Sequence, residues 1–305
     1  MRNVWSLCIV FCISLAFIGQ ASAAGRLFHT NEDSGTIEEL NPDTGVVISS
    51  HPTPIPIGGG CSGLAFASGR LFFQNCGSSI YELSPATGGV INSFPGPSPS
   101  IDGLGFSGTE LYLLDYSGGG APAAAGRLNQ AAAYGVAAGN NISPNAVKPA
   151  GGLIYVINPN TGAHIRVLTP GVSIYGGLTF AGGRNSLFAS DAFTGMIYEI
   201  NPLTGVVKNS FAAPVSDIFG LGYSYSRKTL FLGDVGGGGK TIYEVNPDTG
   251  AVINTLPVVP NWSLAADENG SAVVPTMNEW GMILFTALAG LGSVFYLRRK
   301  RTAKG

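Results

Sequence analysis

Five polar residues stand at one position of a spaced phrase. Asn31, Asn75, Asp115, Asp191 and Asp234 each follow a leucine (Leu27, Leu71, Leu111, Leu187, Leu230) by four residues. All five carry side-chain oxygen, and three are carboxylates. Asp102, Tyr175, Asp217 and Trp262 occupy a second recurring place, at or just before another repeated phrase. Oxygen ligands gathered from several loops suit a hard divalent cation or a polyol. The competing role is local, because Asx side chains commonly cap the turns that follow them. Both roles stay open on sequence alone, and no other cofactor is expected.

Other chemistries lack their residues. His29, His51 and His164 fall at non-equivalent points of the repeat and make no metal-ligand spacing. No G-x-S-x-G, H-E-x-x-H or P-loop is present, and Gly118 to Gly120 lack the Lys and Ser/Thr of a phosphate cradle. Between residues 25 and 273 there are 10 basic against 17 acidic side chains, a net of −7, so no nucleic-acid partner is expected.

The elements that would position these residues announce themselves through a recurring turn. It reads Asn41-Pro42-Asp43-Thr44-Gly45, Ser84-Pro85-Ala86-Thr87-Gly88, Asn158-Pro159-Asn160-Thr161-Gly162, Asn201-Pro202-Leu203-Thr204-Gly205 and Asn246-Pro247-Asp248-Thr249-Gly250. Pro presets φ, Asn or Ser bonds back to the backbone, and Gly supplies positive φ. Apolar runs flank each copy, so each is a hairpin signal. The spacings are 43, 74, 43 and 45 residues. A period of 40 to 45 residues with four strands per repeat marks a β-propeller.

A second phrase fixes the register. Gly63-Leu64-Ala65-Phe66, Gly103-Leu104-Gly105-Phe106, Gly177-Leu178-Thr179-Phe180 and Gly220-Leu221-Gly222-Tyr223 read as innermost strands, and Trp262-Ser263-Leu264-Ala265-Ala266 is a degenerate fifth copy. The first repeat lacks its own inner strand. The expected fold is therefore all-β, a five-bladed propeller over 24–273, closed by the C-terminal strand pairing with the first three. Closure removes open sheet edges. The long spacing places an insertion at 117–150, between the second and third strands of the third blade, and 236–239 is a shorter Gly run at the equivalent place in the fifth. The blades lack the Trp that quinone-cofactor propeller repeats carry after the Thr-Gly.

Residues 1–23 have the form of a secretory signal: Arg2, an apolar run from Val4 to Ile18, and the cleavage pattern Ala21-Ser22-Ala23. Cys8 and Cys12 would leave with it. Cys61 and Cys76 would remain, in an oxidising compartment. Ala67-Ser68-Gly69-Arg70 reads as a two-residue hairpin turn. Six steps outward from Ala67 and Arg70 bring Cys61 opposite Cys76. Opposed Cα atoms lie about 4.5–5.5 Å apart, within disulfide range.

The other end, 274–305, holds Val274-Pro275-Thr276-Met277-Asn278-Glu279-Trp280-Gly281, an uncharged stretch from Trp280 to Leu297 long enough to span a bilayer, and Arg298-Arg299-Lys300-Arg301. This order resembles the IPTL-CTERM protein-sorting tail, whose consensus is Ile-Pro-Thr-Leu-x-x-Trp-Gly. The resemblance implies a Gram-negative export substrate, anchored in the inner membrane by its C-terminal helix. An exosortase-type membrane peptidase would then process it before release or attachment at the surface. The combined expectation is an exported binding or structural module at the cell surface or in the extracellular matrix, with an unknown glycan or protein ligand, rather than an enzyme. The alternative is a metal-dependent hydrolase, lyase or cyclase with a carboxylate-lined mouth.

Overall fold

The computed structural model describes residues 25–57, 62–75, 79–98, 100–115, 152–236, 241–257 and 261–268, with only the backbone of 261 and 262. The segments expected to be signal peptide, insertion, sorting motif and apolar helix lie outside the described residues, as do Cys61 and Cys76. Among the described residues no helix is long and apolar enough to cross a membrane.

Twenty strands form five antiparallel sheets of four among the described residues. The first blade holds β1 (Leu27–Asn31), β2 (Thr36–Leu40) and β3 (Val47–Pro52). The second holds β4 (Ser62–Ala67), β5 (Arg70–Asn75), β6 (Ser79–Leu83) and β7 (Val90–Pro95). The third holds β8 (Ile101–Phe106), β9 (Leu111–Asp115), β10 (Leu153–Ile157) and β11 (His164–Leu168). The fourth holds β12 (Leu178–Ala181), β13 (Ser186–Asp191), β14 (Met196–Ile200) and β15 (Val207–Ala212). The fifth holds β16 (Ile218–Ser224), β17 (Thr229–Asp234), β18 (Thr241–Val245) and β19 (Val252–Pro257). The last strand, β20 (Asn261–Ala266), pairs with β1 and completes the first blade, as the split repeat requires.

The inner-strand phrase has a steric cause. A Cβ at Gly63 would lie 2.7 Å from Leu104, one at Gly103 2.5 Å from the Leu178 nitrogen, one at Gly177 2.6 Å from Leu221, and one at Gly220 2.8 Å from Leu264. Each Gly admits the leucine of the next blade, so Gly-Leu pairs walk around the ring. The cores follow the same logic. Five apolar clusters form, each spanning two adjacent blades, with Phe72, Phe73, Phe106, Phe188 and Phe231 among the fully buried side chains. Inner and second strands are buried on both faces, whereas the outer strands expose alternate residues.

The turns between third and fourth strands have the expected geometry. Gly45, Gly88, Gly162, Gly205 and Gly250 sit at φ between 70° and 75°. The Asn41 side chain accepts from the Asp43 and Thr44 amides at 2.9 and 3.2 Å, and Asn201 repeats this with Leu203 and Thr204 at 2.9 and 3.1 Å.

Candidate functional site

The ring consists of two dissimilar faces. On one lie the five Thr-Gly turns and the hairpins joining inner to second strands. On the other lie the last residues of the second strands, Asn31, Asn75, Asp115, Asp191 and Asp234, and the entries to the inner strands.

The turn face is latched. Arg26 makes a two-pronged pair with Glu39 of its own blade, both contacts 2.7 Å, and donates to the Pro85 carbonyl of the next blade's turn at 3.1 Å. Arg70 pairs with Glu82 and reaches Pro159 O at 3.3 Å. Arg184 pairs with Glu199 and reaches Asp248 at 2.6 Å. Arg227 pairs with Glu244 and reaches Asp43 at 2.6 Å, joining the last blade to the first. In the third blade the charges are exchanged. Glu110 takes the position of Arg26 and Arg70, Arg166 on β11 supplies the cation at 2.6 and 2.7 Å, and Arg166 reaches Pro202 O at 3.0 Å. The turns thus serve as receptors for the neighbouring blade's guanidinium. In the sequence the turns carry a backbone signature alone, because the latch lies between repeats rather than within one.

One end of the ring is also closed. Glu268 follows β20 and is fully buried. Its Oε2 accepts from the Phe106 amide at 2.6 Å and the Phe180 amide at 3.3 Å, and its Oε1 from the Thr179 hydroxyl at 2.9 Å. Its own amide donates to Phe66 O, its carbonyl accepts from Gly182, and Asp267 O accepts from Tyr225. Residues 267 and 268 therefore tie together the C-terminal ends of β4, β8, β12 and β16, on the turn face. Burial pushes the Glu268 carboxyl well above the ordinary range, against the pull of its three donors. The sequence signal was an acidic pair just after the last strand, with no cation near it in the repeat.

On the opposite face the residues expected to form a mouth are found at equivalent strand ends, but several side chains fold back on their own loops. Asn31 Oδ1 accepts from the Asp33 and Ser34 amides at 3.1 and 3.3 Å, and its Nδ2 donates to Glu38 at 3.2 Å. Asp191 accepts from the Phe193 amide at 3.1 Å and the Thr194 hydroxyl at 2.8 Å. Asp234 accepts from the Gly236 amide at 2.8 Å. The Asn75 amide donates to Pro56 O. Asp115 is buried at the end of β9. Burial raises the Asp234 carboxyl, and the nearby Asp217 adds to the effect. Asp217 itself adopts the left-handed backbone, φ 63°. Tyr175 bridges to Asp191 and packs against Phe193 and Phe219, ring centroids 4.8 and 5.6 Å away. The Trp262 side chain lies outside the described residues. Among the described residues no three His, Cys, Asp or Glu side chains converge as a metal site.

Asp102 differs from its neighbours. It is 3% exposed, and among the described residues its carboxyl has no hydrogen-bond or ion-pair partner. Burial lifts it well above the usual carboxylate value.

A buried pair lies in the first blade. His29 Nε2 and Glu38 Oε2 are 3.1 Å apart, and Glu38 also receives Asn31 and Thr36. The hydrogen bond from His29 leads the causes that lower the Glu38 carboxyl from 4.5 to about 2. His29 has no exposed surface, so this is a core His–carboxylate pair.

The fold and its two faces define a five-bladed β-propeller, latched and closed on one side. No family model matches the chain, and no curated protein matches it. Among solved structures it is similar to glutaminyl cyclase from Myxococcus xanthus, at 15% identity over 76% of this chain and 75% of that one, with a TM-score of 0.46. It is also similar to hydrazine synthase from Kuenenia stuttgartiensis, at 12% identity over 66% of this chain and 50% of that one, TM-score 0.41. A protein of unknown function from Bacteroides caccae is similar at 12% identity, over 76% and 73% of the two chains, TM-score 0.41. Similarity at this level carries no conclusion about activity.

Proposed function

We propose that this chain is an exported binding or structural module, displayed at the cell surface or in the extracellular matrix of a Gram-negative bacterium. In this reading the tail from Val274 to Arg301 is the sorting signal. An exosortase-type membrane peptidase processes it after residues 1–23 have directed export. The propeller presents its Asx face to a glycan or protein ligand.

The observation that carries this reading is the asymmetry of the two faces. The turn face is committed to structure by five guanidinium latches and by Glu268. The connections between second and third strands, which differ in length from blade to blade, begin and end on the other face, among them those from Asp115 to Leu153 and from Asp234 to Thr241. Divergent loops on a rigid scaffold are where binding usually resides.

Two measurements test it. Mass spectrometry of the surface and secreted pools should find the mature C-terminus before Trp280, and intact Arg298–Arg301 peptides there would refute processing. A glycan array with the exported protein, repeated with chelator, should give a ligand whose binding drops when Asp115, Asp191 and Asp234 are all replaced by Asn. Unchanged binding in that variant would place the site elsewhere.

A further inference from the structure

Asp102 is the second residue of β8, at the end that lies on the Asx face, and it occupies a β-bulge. Ile101 pairs with Asp115 and Gly103 with Leu114, which leaves Asp102 as the extra residue. The fifth blade repeats the device: Ile218 pairs with Asp234 and Gly220 with Gly233, leaving Phe219 over. In the fourth blade, between them, the corresponding residue is Gly176, at φ 127°. A Cβ at Gly103 would lie 2.9 Å from Gly176 O, and one at Gly176 would lie 3.4 Å from the Phe219 Cα. Asp102, Gly176 and Phe219 therefore form one layer across three adjacent inner strands. Tyr175 joins that layer through its edge-on contact with Phe219 and its packing on Phe193.

Bulges recur beside functional sites because they re-aim a side chain. Here two of them place a carboxyl and an aromatic ring in the layer where the inner strands begin. The other acidic side chains of this face are engaged, Asp191 and Asp234 with loop donors. Asp115 and Asp217 also have interactions. Asp102 stands apart as a nearly fully buried carboxyl with no donor among the described residues. A carboxyl this deeply placed, with 3% of its residue surface left exposed, is suited to a ligand donor that reaches it from the Asx face. Glu268 fills the turn-face end of the inner strands, and Asp102 lies at their other end, on the Asx face.

We propose that Asp102 anchors a binding site for the ammonium group of a small organic amine, with the Tyr175 and Phe219 rings beside it. Burial disfavours the charged carboxyl while the site is empty, and an ammonium beside it favours the carboxylate, which then supplies the acceptor and the charge that the N–H donors need; aromatic faces attract the same cation through their quadrupoles. This deepens the assignment of the Asx face as the working one and rests on it. It does not depend on where the protein is displayed.

The test titrates the full-length protein with benzylammonium, tetramethylammonium and neutral benzyl alcohol, read by calorimetry and by tyrosine fluorescence. Benzylammonium should bind, and Asp102→Asn should weaken it by more than about ten-fold, since it removes one member of a buried charge pair. The neutral alcohol should bind at least about ten-fold more weakly than the amine. Tyr175→Leu should weaken both cations by several-fold while the melting temperature stays near wild type. Asp102→Asn is nearly isosteric and should fold, and thermal melts of the same samples establish that it has. Absence of amine binding at about 10 mM, equal binding by the alcohol, or full retention in a folded Asp102→Asn protein would each overturn the proposal. Failure of tail processing or surface display would strike the export reading and leave this one standing.

Discussion

The guanidinium of Arg227 in the fifth blade lies 2.6 Å from Oδ1 of Asp43 in the turn of the first, 184 residues away in the chain. The same guanidinium holds Glu244 through two contacts of 2.8 and 3.0 Å. The two partners differ in burial, at 56% exposed for the Asp43 side chain and 1% for that of Glu244. Asp43→Asn should therefore cost less than about 1 kcal/mol, as for exposed ion pairs. Arg227→Ala should cost about 3 kcal/mol, because it leaves a buried carboxylate with the Thr229 hydroxyl at 2.7 Å and no cation. Chemical denaturation of the two variants measures the contrast. Equal costs would mean that the latch to the turn, not the pair within the blade, bears the stability.

The third blade tests whether the latch is a transferable unit. Four of its residues depart together from the other blades. Glu110 stands where the first two blades have Arg26 and Arg70, and Val156 where the other blades have Glu. Arg166 replaces the Asn seen at 92, 209 and 254, and Tyr112 replaces a Phe. The Tyr112 hydroxyl donates to Glu110 at 2.8 Å, so the Tyr belongs to the exchange. In those three blades the Asn donates to the next turn, as Asn254 does to Asp43 O at 3.3 Å. Glu110→Arg alone sets two guanidiniums side by side without a carboxylate and should cost about 2–4 kcal/mol. Adding Tyr112→Phe, Val156→Glu and Arg166→Asn should restore most of the loss. Thermal melts of the single and quadruple variants give the coupling, and a quadruple variant no better than the single would show that the third blade has its own packing needs.

Two buried carboxyls should give the stability opposite pH slopes. Glu268 is raised above its unfolded value near 4.5, so the native state holds the proton longer. Its contribution is complete below that value and is lost as pH rises through the folded pKa. Glu38 is lowered to about 2, so its contribution is complete above 4.5 and is lost as pH falls towards 2. Glu268→Gln should flatten the alkaline decline, leaving the share due to Asp102, and should leave the acid limb in place. Glu38→Gln should do the reverse. Glu268→Ala should cost about 3 kcal/mol or more, since it strands the buried amides of Phe106 and Phe180. Melting temperatures across the pH range decide these points, and an unaltered alkaline limb in Glu268→Gln would remove Glu268 as its source.

What could be read from the sequence was what repeats. The Thr-Gly turns, the Gly-Leu inner strands and the split first blade all appear as periodic text, because each copy solves the same steric problem. The positions of Asn31, Asn75, Asp115, Asp191 and Asp234 were legible for the same reason. Their bonding was not, since capping by Asn31 and Asp191 depends on how each loop folds. The latches are not legible in the sequence, because Arg70 and Pro159 belong to different repeats. Nor is Glu268, because the plug occurs once and has no repeat to be compared with. Asp102 was identifiable by position, but its lack of a partner exists only in three dimensions.

The hairpin of β4 and β5 carries the last prediction. Ser68 and Gly69 both have positive φ, 52° and 76°, the turn that matches strand twist. Ala67 faces Arg70, and the pairing runs outward without a shift to Ser62 and Asn75. The next residues along the chain are Cys61 and Cys76, which lie outside the described residues. This register, together with an oxidising destination, leads us to expect a disulfide between them. It would staple the inner and second strands of the second blade where they meet the Asx face. A bond closing so short a loop should contribute about 3 kcal/mol. Peptide mapping of the non-reduced exported protein should recover the two cysteines in one linked species. Replacing both by Ser should lower the melting temperature and make it insensitive to reductant, whereas the wild type should lose stability when reduced. Free thiols at both positions in the exported protein would end the idea.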